Sequence, residues 1–138
     1  MPTNFPAGPG RILGIGGIFF KSENAERARA WYNDKLGIDS GQYGATFPWR
    51  SAEHPENEHL TAWTIFGASS DYFAPSPAPF MINYIVDDLD AFLEKMHAAG
   101  VQVDPKRDDY EYGRFAWIFD VDGNKIELWE PKTTPKET

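Results

Sequence analysis

Glu111-Tyr112-Gly113-Arg114-Phe115 gathers, in one short run, a carboxylate able to move a proton, a phenol able to donate a hydrogen bond and a guanidinium able to hold a carboxylate through two parallel bonds. Gly113 lets the backbone carry Tyr112 and Arg114 close to a ligand. Arg114 can instead close a surface ion pair with a nearby acid, which stabilises little. Two histidines, His54 and His59, fall in the polar stretch 51–59 with Pro55 between them. No helix sets their spacing and nothing orients their rings, so they read as part of a solvated loop. His97 reads as the surface of a helix. Cysteine is absent, which removes disulfides, thiolate nucleophiles and Cys-ligated zinc or iron–sulfur sites together.

The elements that must position these groups follow from the pattern. Residues 12–21 form a β-rich run in which Gly14, Gly16 and Gly17 leave room for close approach to the backbone. Asn24 is placed as a helix N-cap, Ala25, Ala28, Tyr32 and Leu36 recur at helical spacing, and Gly37 stops the helix. Short strands follow over 44–49 and 60–66. The proline-rich stretch 69–79 reads as a connector without regular structure. The same order then returns: a strand over 80–86, Asp88 as N-cap to Leu89, Phe92, Leu93 and Met96, Gly100 as stop, and strands over 101–103, 114–120 and 125–129. The dipeptide Asp122-Gly123 is suited to a tight hairpin with both central residues at positive φ. An internal duplication is the simplest reading: an α+β fold of two tandem βαβββ modules, module one about 12–66, connector 67–79, module two about 80–131, in a single domain spanning 1–138.

Composition bounds the partners. A chain of 138 residues can close one good core. A formal charge of −8 disfavours phosphate-backbone binding, so nucleic acid is not expected as a partner. No apolar run approaches the roughly 18 residues of a bilayer span, and the first ten residues lack the basic start and apolar run of a signal peptide. Cytoplasmic residence is the expectation. Phe 10, Tyr 6 and Trp 5 make a ring-rich chain, and rings beyond those the core needs suit a flat or cationic ligand.

Three stretches carry a family resemblance over roughly 12–131. Trp31-Tyr32-Asn33-Asp34-Lys35-Leu36-Gly37, Tyr84-Ile85-Val86-Asp87-Asp88-Leu89-Asp90 and Asp120-Val121-Asp122-Gly123-Asn124-Lys125-Ile126-Glu127-Leu128 resemble the first helix ending, the second strand and cap, and the final hairpin of the vicinal oxygen chelate superfamily. That superfamily includes glyoxalase, bleomycin-resistance and dioxygenase relatives. The resemblance implies a cavity on the open faces of the sheets and, in metal-dependent relatives, a divalent ion held by His, Glu or Gln. Carried over by residue, the ligand positions fall on Gly17, Met81, one of Ala62 and Thr64, and Glu127. Only Glu127 keeps a ligating group, so no cofactor is expected and a divalent metal is disfavoured. Strand alternation then turns Phe19 and Lys21 toward the cavity with Gly17, Asn83 and Ile85 with Met81, and Lys125 and Trp129 with Glu127. Lys21 is expected to pair with Glu127, to reach solvent, or to act as an amine of lowered pKa.

The leading functional reading is a metal-independent small-molecule-binding protein, with Phe19, Lys21, Asn83, Tyr112, Arg114, Glu127 and Trp129 as ligand-binding candidates. A lyase or isomerase acting beside a carbonyl is the alternative, with Glu127 or Glu111 as base and Tyr112 or Arg114 stabilising negative charge. A third reading is an interaction subunit with a vestigial pocket. A homodimer is expected, because exposed strand edges invite association.

Overall fold

The computed structural model describes residues 9–132. Its elements run β1 (Ile12–Ser22), α1 (Ala25–Trp31), a π-helical turn (Tyr32–Leu36), β2 (Ala45–Arg50), β3 (Glu58–Gly67), β4 (Phe80–Val86), α2 (Leu89–Ala98), β5 (Val103–Tyr110), β6 (Gly113–Phe119) and β7 (Lys125–Pro131). Neighbouring strands run in the orders β2-β3-β1 and β7-β6-β5. The described residues divide into two compact units, one of Ile15–Asn83 and one of residues 9–14 with 84–132.

In the unit of Ile15–Asn83, β1 pairs with β3 in parallel and β2 with β3 antiparallel. Asn24 caps α1, its Oδ1 accepting from the Arg27 amide at 3.0 Å, which satisfies one of the unpaired donors of the first turn. The helix passes into a π-turn at Tyr32 and stops at Gly37, with φ 74. Phe20, Tyr32 and Trp63 meet edge to face, with centroids 4.9–5.8 Å apart. That triangle carries the helix on its sheet, because Phe20 and Trp63 lie on the face opposite Phe19 and Thr64.

The other unit has its own apolar core. Val86, Leu89, Phe92, Leu93, Ala116, Ile118 and Leu128 form its core, with α2 laid on one face of β6 and β7. Asp88 caps α2 by accepting from the Ala91 amide at 3.1 Å, and Glu130 Oε1 takes the Leu89 amide at 2.7 Å. On the same side Arg114 reaches Glu130 at 2.7 Å and Asp90 at 3.2 Å, and Arg107 reaches Asp90 at 2.9 Å. Arg107 and then Arg114 hold the Asp90 carboxyl below the usual carboxylate range.

Three local expectations are corrected. The strand expected over 101–103 starts at Val103 and runs to Tyr110, across Pro105 and a register irregularity between Val103 and Arg107; a proline is tolerated there because β5 is an edge strand. The hairpin after β6 is not a two-residue turn. Only Gly123 has positive φ, at 82, and the loop is organised by Asp120, whose Oδ1 accepts the amides of Asp122 and Asn124 at 2.8 and 2.9 Å. His59, read as loop, stands on β3.

The connector does more than join. Its Phe73 is completely buried, packed on Phe66 with centroids 5.0 Å apart and lying under the Lys21 ammonium at 5.2 Å. Phe73→Ala is therefore expected to cost about 3–5 kcal/mol in urea unfolding, as large-to-small changes in cores do. A loss under about 1 kcal/mol would contradict the packing. Asp90 is exposed, so Asp90→Asn is expected to cost under about 1 kcal/mol near neutral pH. Because the folded pKa is depressed, the wild-type advantage is present above the ordinary Asp value near 4 and is lost as pH falls through the lower folded value. Parallel melts of wild type and variant from neutral pH down into acid check both parts, and a gap that does not narrow as pH falls would contradict the assignment.

Candidate functional site

The antiparallel register of β6 and β7 places Phe115 opposite Trp129, Trp117 opposite Glu127 and Phe119 opposite Lys125. Residues directly opposite project to the same side, so all six lie on the face away from α2. The register of β5 and β6 adds Asp108, opposite Phe115, and Tyr110, opposite Gly113. Arg114, Ala116 and Ile118 alternate to the other face, where the core and the Asp90 network lie.

At one end of this open face stands a buried carboxylate. Glu127 is 3% exposed, and its Oε1 accepts from the Trp117 indole N–H at 3.1 Å. The Trp117 ring is also approached by the ammonium groups of Lys106 and Lys125, each 5.4 Å from its centroid. The carboxylate is thus hydrogen-bonded to an indole whose ring two cations approach, and a charge taken out of water needs such polar partners.

The other end is aromatic. Tyr110 and Tyr112 stack at 5.2 Å and 12°, both present edges to Phe115 at 5.9 Å, and Phe115 lies parallel to Trp129 at 6.0 Å and 5°. Tyr112 is 62% and Tyr110 45% exposed, so this end is open to solvent. The Tyr110 hydroxyl donates to Asp108 Oδ2 at 3.1 Å, and that bond to a carboxylate, with its charge, raises the phenol pKa. Tyr110 is a held donor rather than a proton source near neutral pH.

The candidate residues separate as follows. Tyr112, Glu127 and Trp129 share the open face. Arg114 does not: its guanidinium is bound by Glu130 and Asp90 on the α2 side, which raises its pKa and withdraws it from the ligand role expected of it. Glu111 is exposed in the β5–β6 turn. Phe19, Lys21 and Asn83 belong to the other unit. There the Lys21 ammonium lies over the Phe73 ring, and Asn83 is buried on β4. Gly113 has a different use from the one expected. A Cβ there would lie 2.2 Å from Trp129 Nε1, so the space a side chain would take belongs to the indole. Trp117, Phe115, Tyr110 and Lys106 escaped the sequence reading. The alternation of Phe115, Trp117 and Phe119 was the signal that could have found them.

Of the positions that the resemblance assigns to a metal, three offer no fitting donor. Gly17 has no side chain, and the space a Cβ would take is already occupied, with Phe19 Cζ at 2.6 Å and Asn83 Cβ at 3.0 Å. Met81 is fully buried and presents a thioether, a poor partner for hard or borderline divalent ions. Ala62 has no donor and Thr64 only a neutral hydroxyl. Glu127 alone does not fix a coordination geometry, so these positions do not fit a transition-metal centre. His54 pairs with Glu56 in its loop at 3.3 Å. His59 stacks on Trp49 at 4.8 Å, and burial lowers its pKa.

Comparison with known proteins gives the fold a name. Residues 15–128 match the sequence profile of the Glyoxalase/Bleomycin resistance protein/Dioxygenase superfamily. No curated protein sequence matches the chain significantly. Among solved structures, methylmalonyl-CoA epimerase from Mycobacterium tuberculosis superposes with a TM-score of 0.62 at 16% identity, covering 98% of both chains. A single-residue variant of the Streptomyces coelicolor methylmalonyl-CoA epimerase, in complex with 2-nitronate-propionyl-CoA, gives 0.64 at 13% identity over 88% of this chain and 99% of that one. A structure described as NAD-dependent benzaldehyde dehydrogenase from Legionella pneumophila gives 0.55 at 12% identity over 84% and 98%. At such identities these likenesses speak for the fold alone. Seven strands and two helices in the expected α+β order, with a profile match over most of its length, make the chain a member of the Glyoxalase/Bleomycin resistance protein/Dioxygenase superfamily.

Proposed function

We propose that the chain is a metal-independent small-molecule-binding member of its superfamily, taking a planar aromatic ligand, preferably cationic, on the open face of β5, β6 and β7. The observation that carries this reading is the meeting on one face of solvent-open rings, Tyr110 and Tyr112, with a buried carboxylate, Glu127. Rings offer area and a negative π-face to a flat cation, and a carboxylate farther along the same strands supplies orientation. The formal charge of −8 raises the local concentration of cations. Cytoplasmic residence and a homodimer belong to this reading.

A second reading draws on the likeness to methylmalonyl-CoA epimerases: a lyase or isomerase acting beside a carbonyl, with Glu127 moving the proton. The Trp117 N–H fixes one Glu127 oxygen at 3.1 Å, which is the positioning a base needs.

Titration calorimetry with N-methylquinolinium and with quinoline tests the first reading. The cation is expected to bind more tightly than the neutral ring. Glu127→Gln is expected to weaken the cation by about 1–3 kcal/mol, the scale of a hydrogen bond to a charged group, and to affect quinoline less. Equal weakening of both, or no binding of either, would contradict it. Under the second reading the same variant lowers kcat while thermal melting stays unchanged. Elemental analysis after gentle purification is expected to find no stoichiometric transition metal, and about one Zn, Fe, Ni or Mn per chain would overturn metal independence.

A further inference from the structure

At Gly113 a side chain and the Trp129 indole, as it is placed, cannot coexist. A Cβ built there lies 2.2 Å from Trp129 Nε1 and 2.7 Å from Cδ1, and 3.1 Å from the Glu130 carbonyl oxygen. The first two distances are far inside van der Waals contact, and the atoms involved belong to a rigid ring that cannot fold aside as a flexible chain end would. With glycine the indole lies directly on the β6 backbone. It sits parallel to Phe115, and its Nε1 is buried without a hydrogen-bond partner. Leaving that donor unpaired is unfavourable, so the seat is held by ring packing and not by its polar atom. Tyr110 lies directly across from Gly113 on β5, so the seat is bordered by the exposed tyrosines.

We propose that Gly113 is the specificity-determining position of this face: its missing side chain seats Trp129 flat, so that the face accepts a planar ring, and any residue with a Cβ lifts the indole into the ligand's space. This rests on the reading of the face as a ligand site. Its structural half is independent of that reading. Gly113 is thus a positioning residue acting through Trp129, and it touches no ligand itself.

The test uses the full chain labelled with 5-fluorotryptophan, the Trp129 ¹⁹F resonance being assigned by its loss in Trp129→Phe. Gly113→Ala is expected to move that resonance while leaving the Trp31, Trp49 and Trp63 resonances in place. It is also expected to weaken N-methylquinolinium by roughly three- to ten-fold, the scale of one lost aromatic contact. An unmoved Trp129 resonance overturns the seat, and a moved resonance with unchanged affinity overturns its role in selectivity. Absence of binding by the wild type sinks the ligand reading and the selectivity with it, while the resonance still decides the seat. Should Gly113→Ala melt too low to study, Gly113→Ala is made beside Trp129→Ala. The fall in melting temperature it causes there is expected to be less than half of that in the wild-type background, and an equal fall overturns the proposal.

Discussion

The register of β6 against β7 is the constraint on which the site depends. With Trp117 opposite Glu127, every odd-numbered residue of the two strands falls on the open face and every even-numbered one on the α2 side. A slip of one residue would turn Glu127 into the core among Leu128, Ala116 and Ile118 and would expose the core residues to water, so both faces oppose it. The register is also pinned from the helix side. Glu130 is held at once by the Leu89 amide and by Arg114, and neither bond survives a shift of β7.

The two faces of this unit solve the problem of charge differently. On the α2 side the acids and guanidiniums form a hydrogen-bonded network in partial contact with water, where it fixes geometry more than it adds stability. On the open face a single carboxylate is nearly completely buried, and it is met by an indole donor beside two lysines. Keeping a charge in such a place is costly. A hydrophobic residue at Glu127 would pack against Trp117 without that cost, so the carboxylate is not placed there for stability.

Much of the frame was legible in the sequence. The two caps, Asn24 and Asp88, and the stopping glycines, Gly37 and Gly100, act through local hydrogen bonds and local dihedral preference, and both helices follow from them. Side-chain facing on β7 was legible too, since period-two alternation needs only one anchored residue. What escaped needed tertiary neighbours. Arg114 cannot be assigned to a ligand or to an ion pair until Asp90 and Glu130 are seen beside it. Gly113 looks like a hinge until the indole of Trp129, sixteen positions along the chain, is found to fill its space. β5 was hidden by Pro105 and by its charged composition, both ordinary on an edge strand.

Ligand chemistry is proposed to reside on the open face of β5–β7 without a metal. Indole ¹H–¹⁵N correlation spectra of the unmodified protein, recorded during titration with N-methylquinolinium in the presence of a chelator, test it most directly. Saturable movement of the Trp117 and Trp129 indole signals is expected, with those of Trp31 and Trp49 unmoved. Movement confined to Trp31 or Trp49, or binding abolished by the chelator, would contradict it.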